Sequence, residues 1–169
     1  MTMLILITGL PGTGKTTLAK ALAEATGTVH FNSDMIREEL GKKGDYRPQT
    51  KALIYQEMLE RTQAELTTGN TVIVDATFSL ANARVAFEAV AKKLKTPIEW
   101  IQIQADEQQI KARVSQRRAH SEADFVVYNK IKAEYQPLAQ HHIVLWSTND
   151  NLKEMVRKAM YYLSLTPKS

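Results

Sequence analysis

An apolar run, Leu4-Ile5-Leu6-Ile7-Thr8, leads without a break into Gly9-Leu10-Pro11-Gly12-Thr13-Gly14-Lys15-Thr16 and then into Thr17-Leu18-Ala19-Lys20-Ala21-Leu22-Ala23. The order is buried strand, glycine-rich turn, helix, and it constrains the chain more than any other stretch. The central run fits G-x-x-x-x-G-K-[ST], the Walker A or P-loop pattern, in the context that pattern requires. Gly9, Gly12 and Gly14 let the backbone turn tightly and aim its N–H groups inward. The positive end of the new helix adds to the cradle, which suits an anion. Lys15 can reach the β- and γ-phosphates of a nucleoside triphosphate, and the Thr16 hydroxyl can ligate Mg²⁺. The expected nucleotide-binding residues are therefore Gly9, Pro11, Gly12, Thr13, Gly14, Lys15, Thr16 and Thr17, with a nucleoside triphosphate and Mg²⁺ as the expected ligands.

The chain has 169 residues, enough for one domain with a substantial core. No apolar run approaches the ~18 residues of a membrane span. The run from Met3 to Ile7 is too short for a signal-peptide core. There is no cysteine, which excludes disulfides and thiolate metal sites. A cytoplasmic protein with no membrane partner and no evident obligate protein partner is expected. The net charge of +4 fits nucleic-acid affinity, or equally the arginines of a phosphoryl-transfer site.

Strand and helix patterns alternate along the chain. Strands are expected at Thr28–Phe31, Thr71–Val74, Ile98–Gln104 and Ile143–Trp146, besides the first. Helices are expected at Asp34–Leu40, Thr50–Leu66, Asn82–Leu94, Glu107–Arg118, Ala123–Tyr135 and Asn149–Leu163, the last capped by Thr148 or Asn149. Several strands are apolar on both faces, as in a parallel sheet covered by helices. The pattern predicts a doubly wound α/β sandwich whose ligands bind beyond the carboxyl ends of the strands.

Further candidates lie at those ends. Asp34 follows the second strand and either takes or orients the proton of an attacking hydroxyl, or caps the short helix. Arg37 is one turn on and either holds an anionic substrate or is a surface arginine. Asp75 closes Val72-Ile73-Val74-Asp75, the Walker B arrangement, and is a metal ligand together with Thr16. Thr77 and Arg84 are candidate substrate contacts; a turn residue and a solvated arginine are the alternatives. Arg113 and Arg117 share a face of the acid-free stretch Lys111–Arg118, where paired guanidinium groups can clamp phosphates. With His120-Ser121-Glu122-Ala123 as a turn, this region, about 106–135, makes a helical hairpin able to close as a lid. His30, His120, His141 and His142 have no metal-ligand spacing and read as surface or core residues. Trp146 either flanks an adenine ring or sits in the core.

Taken in order, Gly9–Thr17, Ser33-Asp34-Met35-Ile36-Arg37, Val72-Ile73-Val74-Asp75-Ala76-Thr77-Phe78 and Arg113-Val114-Ser115-Gln116-Arg117 resemble the small P-loop kinases of the AAA_33 type. These are similar to the kinase domain of phage polynucleotide kinase and, more distantly, to zeta toxins and gluconate kinases. The resemblance implies a three-layer P-loop NTPase sandwich with a five-stranded parallel sheet ordered 2-3-1-4-5 and a helical lid. It implies a single kinase domain over residues 1–169, with ATP as the nucleoside triphosphate. It also implies that Asp34 is a general base toward the acceptor hydroxyl, and that Lys15, Arg113 and Arg117 support the transition state. The expected activity is transfer of the γ-phosphoryl group of Mg-ATP to a hydroxyl of a small molecule or of a polynucleotide 5′ end. A nucleotide-dependent ATPase or switch without an acceptor is the alternative. Many relatives carry a proline in the lid turn where this chain has His120-Ser121-Glu122-Ala123.

Overall fold

The structure is a computed structural model that describes residues 1–117 and 121–169, with Arg117 and residues 121–124 described as backbone only. Its elements in order are β1 (Leu4–Thr8), α1 (Lys15–Thr26), β2 (Val29–Asn32), α2 (Ser33–Glu39), α3 (Pro48–Thr67), β3 (Val72–Asp75), α4 (Ala81–Lys93), β4 (Ile98–Ala105), α5 (Glu107–Arg117), α6 (Ser121–Glu134), β5 (His142–Ser147) and α7 (Leu152–Leu163). The five strands form one parallel sheet in the order β2-β3-β1-β4-β5, as the resemblance implied.

Strand periodicity sorts the apolar side chains onto two faces. Leu4, Leu6, Val72, Val74 and Trp100 pack under α2, α3 and α4 through Ile36, Ile54, Met58, Phe87 and Val90. Ile5, Ile7, Ile73, Ile101 and Ile103 pack under α1 and α7 through Leu18, Leu22, Met155, Ala159 and Leu163. Every residue of β1 and β3 is buried, which is why these strands read as unbroken apolar runs rather than alternating ones. A third, smaller core of Ile110, Val114 and Tyr128 joins α5 to α6 and makes that pair a hairpin.

Two element boundaries differ from expectation in ways that matter. The last helix, α7, begins at Leu152, three residues later than its pattern suggests. The Asn151 side chain accepts from the Thr148 N–H at 2.9 Å and donates to the Trp146 carbonyl at 2.7 Å, so residues 148–151 close into a turn instead. And α2 is capped by Asn32, whose side chain accepts from the Met35 N–H at 2.9 Å.

Candidate active site

The P-loop joins β1 to α1 at the carboxyl edge of the sheet. Gly9 packs against β4 so closely that a Cβ there would stand 2.6 Å from the Ile103 carbonyl oxygen. Gly14 caps α1 at φ 98°, a left-handed conformation that glycine adopts freely. The turn between them is closed by the Thr13 hydroxyl on the Leu10 carbonyl at 2.8 Å, and Lys15 Nζ donates to the same carbonyl at 3.1 Å. The N–H groups of Lys15, Thr16 and Thr17 form the first turn of α1, which has no carbonyl one turn back to receive them. Together with the loop N–H groups they give a concave array of donors suited to phosphate oxygens.

Behind the cradle lies Asp75, fully buried at the end of β3. A buried carboxylate needs donors, and this one has three. Thr16 Oγ1 donates to Oδ1 at 2.8 Å, Asn32 Nδ2 donates to the same oxygen at 2.8 Å, and His30 Nε2 engages Oδ2. Asn32 Nδ2 also reaches Thr16 Oγ1 at 3.0 Å. The strand register explains the grouping, since Asn32 pairs with Asp75 and His30 with Ile73 across the β2–β3 ladder. His30, which reads from sequence as a surface or core residue, is thus a partner of Asp75.

The Thr16 hydroxyl and the Asp75 carboxylate form an oxygen-only pair facing the cradle. Among the described residues no cluster of three His, Cys, Asp or Glu side chains could hold a metal ion alone. The donor set fits Mg²⁺, which typically takes one or two protein ligands and completes its shell with phosphates and water.

Since Asn32 caps α2, Asp34 is released from that task. Its carboxylate is 67% exposed and accepts from Arg37 Nη1 at 2.5 Å, one turn along. Arg37 is not the exposed surface arginine that is one of its readings. Its side chain is only 6% exposed, and its guanidinium lies 4.5 Å from the centre of the Tyr46 ring. Tyr55, on α3, closes the same region: its hydroxyl accepts from the Phe78 N–H at 3.1 Å and lies 3.4 Å from Thr77 Oγ1. Burial pushes the Tyr55 phenol up from its ordinary range. Neither Tyr46 nor Tyr55 stands out in the sequence.

The loop after Asp75 turns on Phe78, a buried residue at φ 47° wedged edge-on among Tyr55, Phe87 and Trp100. This left-handed conformation is held from outside. Tyr55 takes the Phe78 N–H, and Arg84 Nε donates to its carbonyl at 2.8 Å. By sequence Arg84 is a substrate contact or a solvated arginine, and in the structure it is not solvated. It is 1% exposed, and its other donors go to the carbonyls of Ser79, Gln136 and Pro137 at 3.4, 2.5 and 3.2 Å. Burial of a guanidinium demands such saturation, which leaves little for a ligand. The exit of α6 is fixed again by Tyr135, whose hydroxyl lies 2.8 Å from Thr8 Oγ1, while Thr8 donates to the Thr77 carbonyl at 2.6 Å.

On the other side α5 lies across the loop. A Cβ on Gly12 would meet Val114 and Ile110 at 3.0 and 3.1 Å. Arg113 Nη1 donates to the Gly12 carbonyl at 3.1 Å, and the same guanidinium reaches Asn149 Oδ1 at 3.3 to 3.4 Å. Arg113, Gly12, Gly14, Thr17, Ser147 and Asn149 line a cleft of about 330 Å³. The side chain of Arg117 and the His120 part of the lid turn lie outside the described residues. Trp146, one candidate core residue, is 59% exposed beside this cleft's β5 edge. A larger cleft, about 440 Å³, is lined by Met3, Gly27, Thr28, Gly69, Thr71 and Leu165 at the opposite end of the sheet. Ligands of open α/β sheets bind at the carboxyl ends of the strands, so the smaller cleft is the relevant one.

The family model AAA_33, an AAA domain, matches residues 4–138, which carry the P-loop, Asp34, Asp75 and Arg113. The chain belongs to the AAA_33 family. Its AAA_33 fold is that of small P-loop kinases. An APS kinase of Mycobacterium tuberculosis, in complex with AMPPNP and APS, superposes with a TM-score of 0.78 at 16% identity over 96% of this chain and 98% of that one. A sugar kinase of Janibacter sp. HTCC2649 gives 0.74 at 19% identity over 98% and 96% of the two chains. A gluconokinase of Sinorhizobium meliloti 1021 gives 0.73 at 16% identity over 96% and 91%. An uncharacterised protein of Mycobacterium tuberculosis is 31% identical over 100 residues, 52% of this AAA_33 chain and 20% of that protein. The chain thus spans about a fifth of the length of the curated relatives it matches. No helix among the described residues is long and apolar enough to cross a membrane.

Proposed function

We propose that the chain is an ATP-dependent kinase, a P-loop phosphotransferase with an alcohol group as acceptor, acting as a single domain over residues 1–169. The reading rests on one observation above the rest: Asn32 caps α2, which leaves the Asp34 carboxylate exposed with only Arg37 as its partner among the described residues. A switch orients its attacking water with a glutamine or a similar side chain, and Asp75 is followed here by Ala76 and Thr77. Asp34 accepts the proton of the acceptor hydroxyl as its oxygen bonds to the γ-phosphorus. The bond from that phosphorus to the β–γ bridging oxygen breaks, and ADP leaves.

Gly9, Pro11, Gly12, Thr13, Gly14 and Thr17 shape the phosphate cradle. Lys15, Arg113 and Arg117 offset the charge that develops on the transferred group. Thr16 and Asp75 would hold Mg²⁺, which supplies charge neutralisation at the phosphates. Thr77 and Arg37 flank the acceptor. The acceptor is the hydroxyl of a small molecule or of a polynucleotide 5′ end. The similarity in fold to a sugar kinase and a gluconokinase favours the small molecule.

The test is transfer of labelled γ-phosphate from ATP to a metabolite extract in one reaction and to a 5′-hydroxyl oligonucleotide in another, with Asp34→Asn as control. Label on an acceptor with wild type and not with the variant is the expected result. Free phosphate accumulating with neither acceptor labelled would show an ATPase instead.

A further inference from the structure

Side chains along β2 alternate between the two faces of the sheet. Phe31 packs into the core beneath α2, α3 and α4, so His30 and Asn32 face the opposite way, toward α1, which packs on that side. Asp75 lies on the same face, because it follows Ile73 by two and Ile73 belongs to the core under α1. The parallel register sets Asn32 beside Asp75 and His30 beside Ile73, and Thr16 closes the group from the first turn of α1. Phosphoryl transfer as proposed above gives the imidazole no task. Yet its side chain is only 9% exposed and stands on a carboxylate that is fully buried.

The two oxygens of Asp75 are held from different directions. Oδ1 accepts from Thr16 Oγ1 and from Asn32 Nδ2, both at 2.8 Å. On Oδ2 the donor is His30 Nε2. A carboxylate only accepts, so the ring proton belongs on Nε2. Donors at both ends fix the rotation of the carboxylate about its Cβ–Cγ bond. Without the imidazole, Oδ2 would be a buried acceptor with nothing to accept from, a costly state that the group relieves by turning. Any turn moves Oδ1 away from the Thr16 hydroxyl. A lysine or arginine in place of His30 would also donate, but its fixed positive charge would oppose a cation held by the same carboxylate.

We propose that His30 is a positioning residue for Mg²⁺: by donating to Oδ2 it orients Asp75 so that Oδ1 and the Thr16 hydroxyl face the phosphate cradle together. This role rests on the placement of Mg²⁺ at Thr16 and Asp75 proposed above, and not on the transfer reaction. It requires no contact between His30 and the ion. Partners that stand behind a metal ligand in this way typically carry about 10- to 100-fold in metal affinity. A ring that only filled space under α1 could be exchanged for another ring of similar size without that loss.

The test is a binding measurement on the full chain with a non-hydrolysable ATP analogue, by calorimetric titration without Mg²⁺ and at a series of Mg²⁺ concentrations. His30→Phe keeps a ring beneath α1 and removes the donor, whereas His30→Gln restores a donor near the Nε2 position. The Mg²⁺ concentration giving half of the gain in analogue affinity should rise about tenfold or more in His30→Phe and stay within about threefold of wild type in His30→Gln. Affinity without Mg²⁺ should match wild type in both variants, which reports an intact cradle. An unchanged Mg²⁺ requirement in His30→Phe, or equal losses in the two variants, overturns the proposal.

A second measurement does not depend on a variant that folds. In the wild-type protein loaded with the analogue, the ring Cε1–H resonance of His30 is followed by NMR as Mg²⁺ is added. His141 and His142, at the start of β5 and the far end of the sheet, serve as references. His30 should move with the same Mg²⁺ dependence as the calorimetric gain while the references stay. A His30 resonance as still as the references overturns the proposal. Asp75→Asn, run in parallel, separates the two ideas. A Mg²⁺ requirement unchanged there as well withdraws the Thr16–Asp75 site and the role of His30 with it. A requirement raised in Asp75→Asn but not in His30→Phe removes His30 alone. Each outcome is read from binding, so a failure to label any acceptor removes the kinase reading and leaves the result for His30 as measured.

Discussion

Thr16 donates a 2.8 Å hydrogen bond to Asp75, and that bond ties the first turn of α1 to the end of β3. The hydroxyl and the carboxylate are pre-aligned, so a cation bound by both need not reorganise them. Replacing Asp75 by Asn keeps the shape and removes the charge. The variant should lose at least tenfold in the gain that Mg²⁺ gives to nucleotide affinity. Its stability should fall by roughly 1–3 kcal/mol, because the donors of Thr16, Asn32 and His30 lose a buried charged acceptor. Nucleotide titrations with and without Mg²⁺ measure the first effect and denaturant unfolding the second. An equal Mg²⁺ gain in both proteins would place the cation elsewhere.

Asp34 is predicted to matter for turnover and much less for folding. It is exposed and does not cap α2, and Asn keeps an acceptor oxygen for the buried Arg37 guanidinium, so Asp34→Asn should lower stability by no more than about 1.5 kcal/mol. Removal of the general base proposed above should lower kcat by roughly 10²- to 10⁴-fold, with nucleotide affinity retained. A large loss of stability in this variant would return the residue to a structural role.

Arg84 is predicted to behave in the opposite way. Arg84→Met would leave the carbonyls of Phe78, Ser79, Gln136 and Pro137 without their buried donor. Loss of one member of such a network costs about 3–5 kcal/mol, or on the order of 10 °C in Tm for a chain of this size. Arg84→Lys supplies one donor group in place of a fork and should recover only part of this. Thermal unfolding is the measurement, and a Tm within about 2 °C of wild type would refute the clamp.

Gly9 offers a steric test of the P-loop. Its missing Cβ is what admits the Ile103 carbonyl, at 2.6 Å from the position the atom would take. Because the obstacle is backbone, Gly9→Ala forces β1 and β4 apart at the mouth of the cradle. It should weaken nucleotide binding by at least tenfold, as read by calorimetric titration. Gly27→Ala is the control. Its added methyl would meet only Lys168 side-chain atoms, at 3.7 Å or more, so the cost comes from the φ of 72° alone and should leave nucleotide affinity intact.

The start of α3 carries an acid-sensitive fastening. Asp45 accepts from Arg47 and from the Thr50 hydroxyl, and these bonds hold its carboxyl well below the ordinary value of 3.8. A folded-state pKa below the unfolded one means that the contribution is complete above pH 3.8 and is lost as pH falls through the folded value. Hydrogen exchange of the first turn of α3 should therefore hold steady from neutral pH down to about 4, after correction for intrinsic rates. In Asp45→Ala it should be faster at neutral pH. Equal protection in the two proteins at neutral pH would dismiss the fastening.

How far the sequence reveals this site depends on the range of the forces involved. The P-loop is local: its glycines, Lys15 and Thr16 act within one turn of chain, so their spacing alone specifies the geometry. Asp75 is nearly as legible, since an acid after a buried strand is a local signal once a P-loop precedes it. His30 is different. Its role comes from β2 lying beside β3 in parallel register, which no spacing within β2 records. Arg84 and Arg37 mislead for a related reason. Arginine on a helix is mostly solvated, and only contacts from distant segments, Gln136 and Pro137 for one and Tyr46 for the other, make burial tolerable. Trp146 errs in the other direction: a large ring in an apolar run reads as core, but β5 is an edge strand and turns that face outward.

The clamp around Arg84 also bears on where such a scaffold can accept new sequence. Residues 135–137 are held at one hydroxyl and two carbonyls by groups from β1 and α4, so an insertion there would unseat the ends of elements that carry the chemistry. Between α2 and α3 the situation is reversed. Gly41 and Gly44 have nothing within 4 Å of where a side chain would begin. That loop is free to lengthen, and it leads within two residues to Tyr46, whose ring lies against the Arg37 guanidinium. New sequence at residues 41–44 would change the surroundings of Arg37 and leave the turn between β1 and α1 as it is.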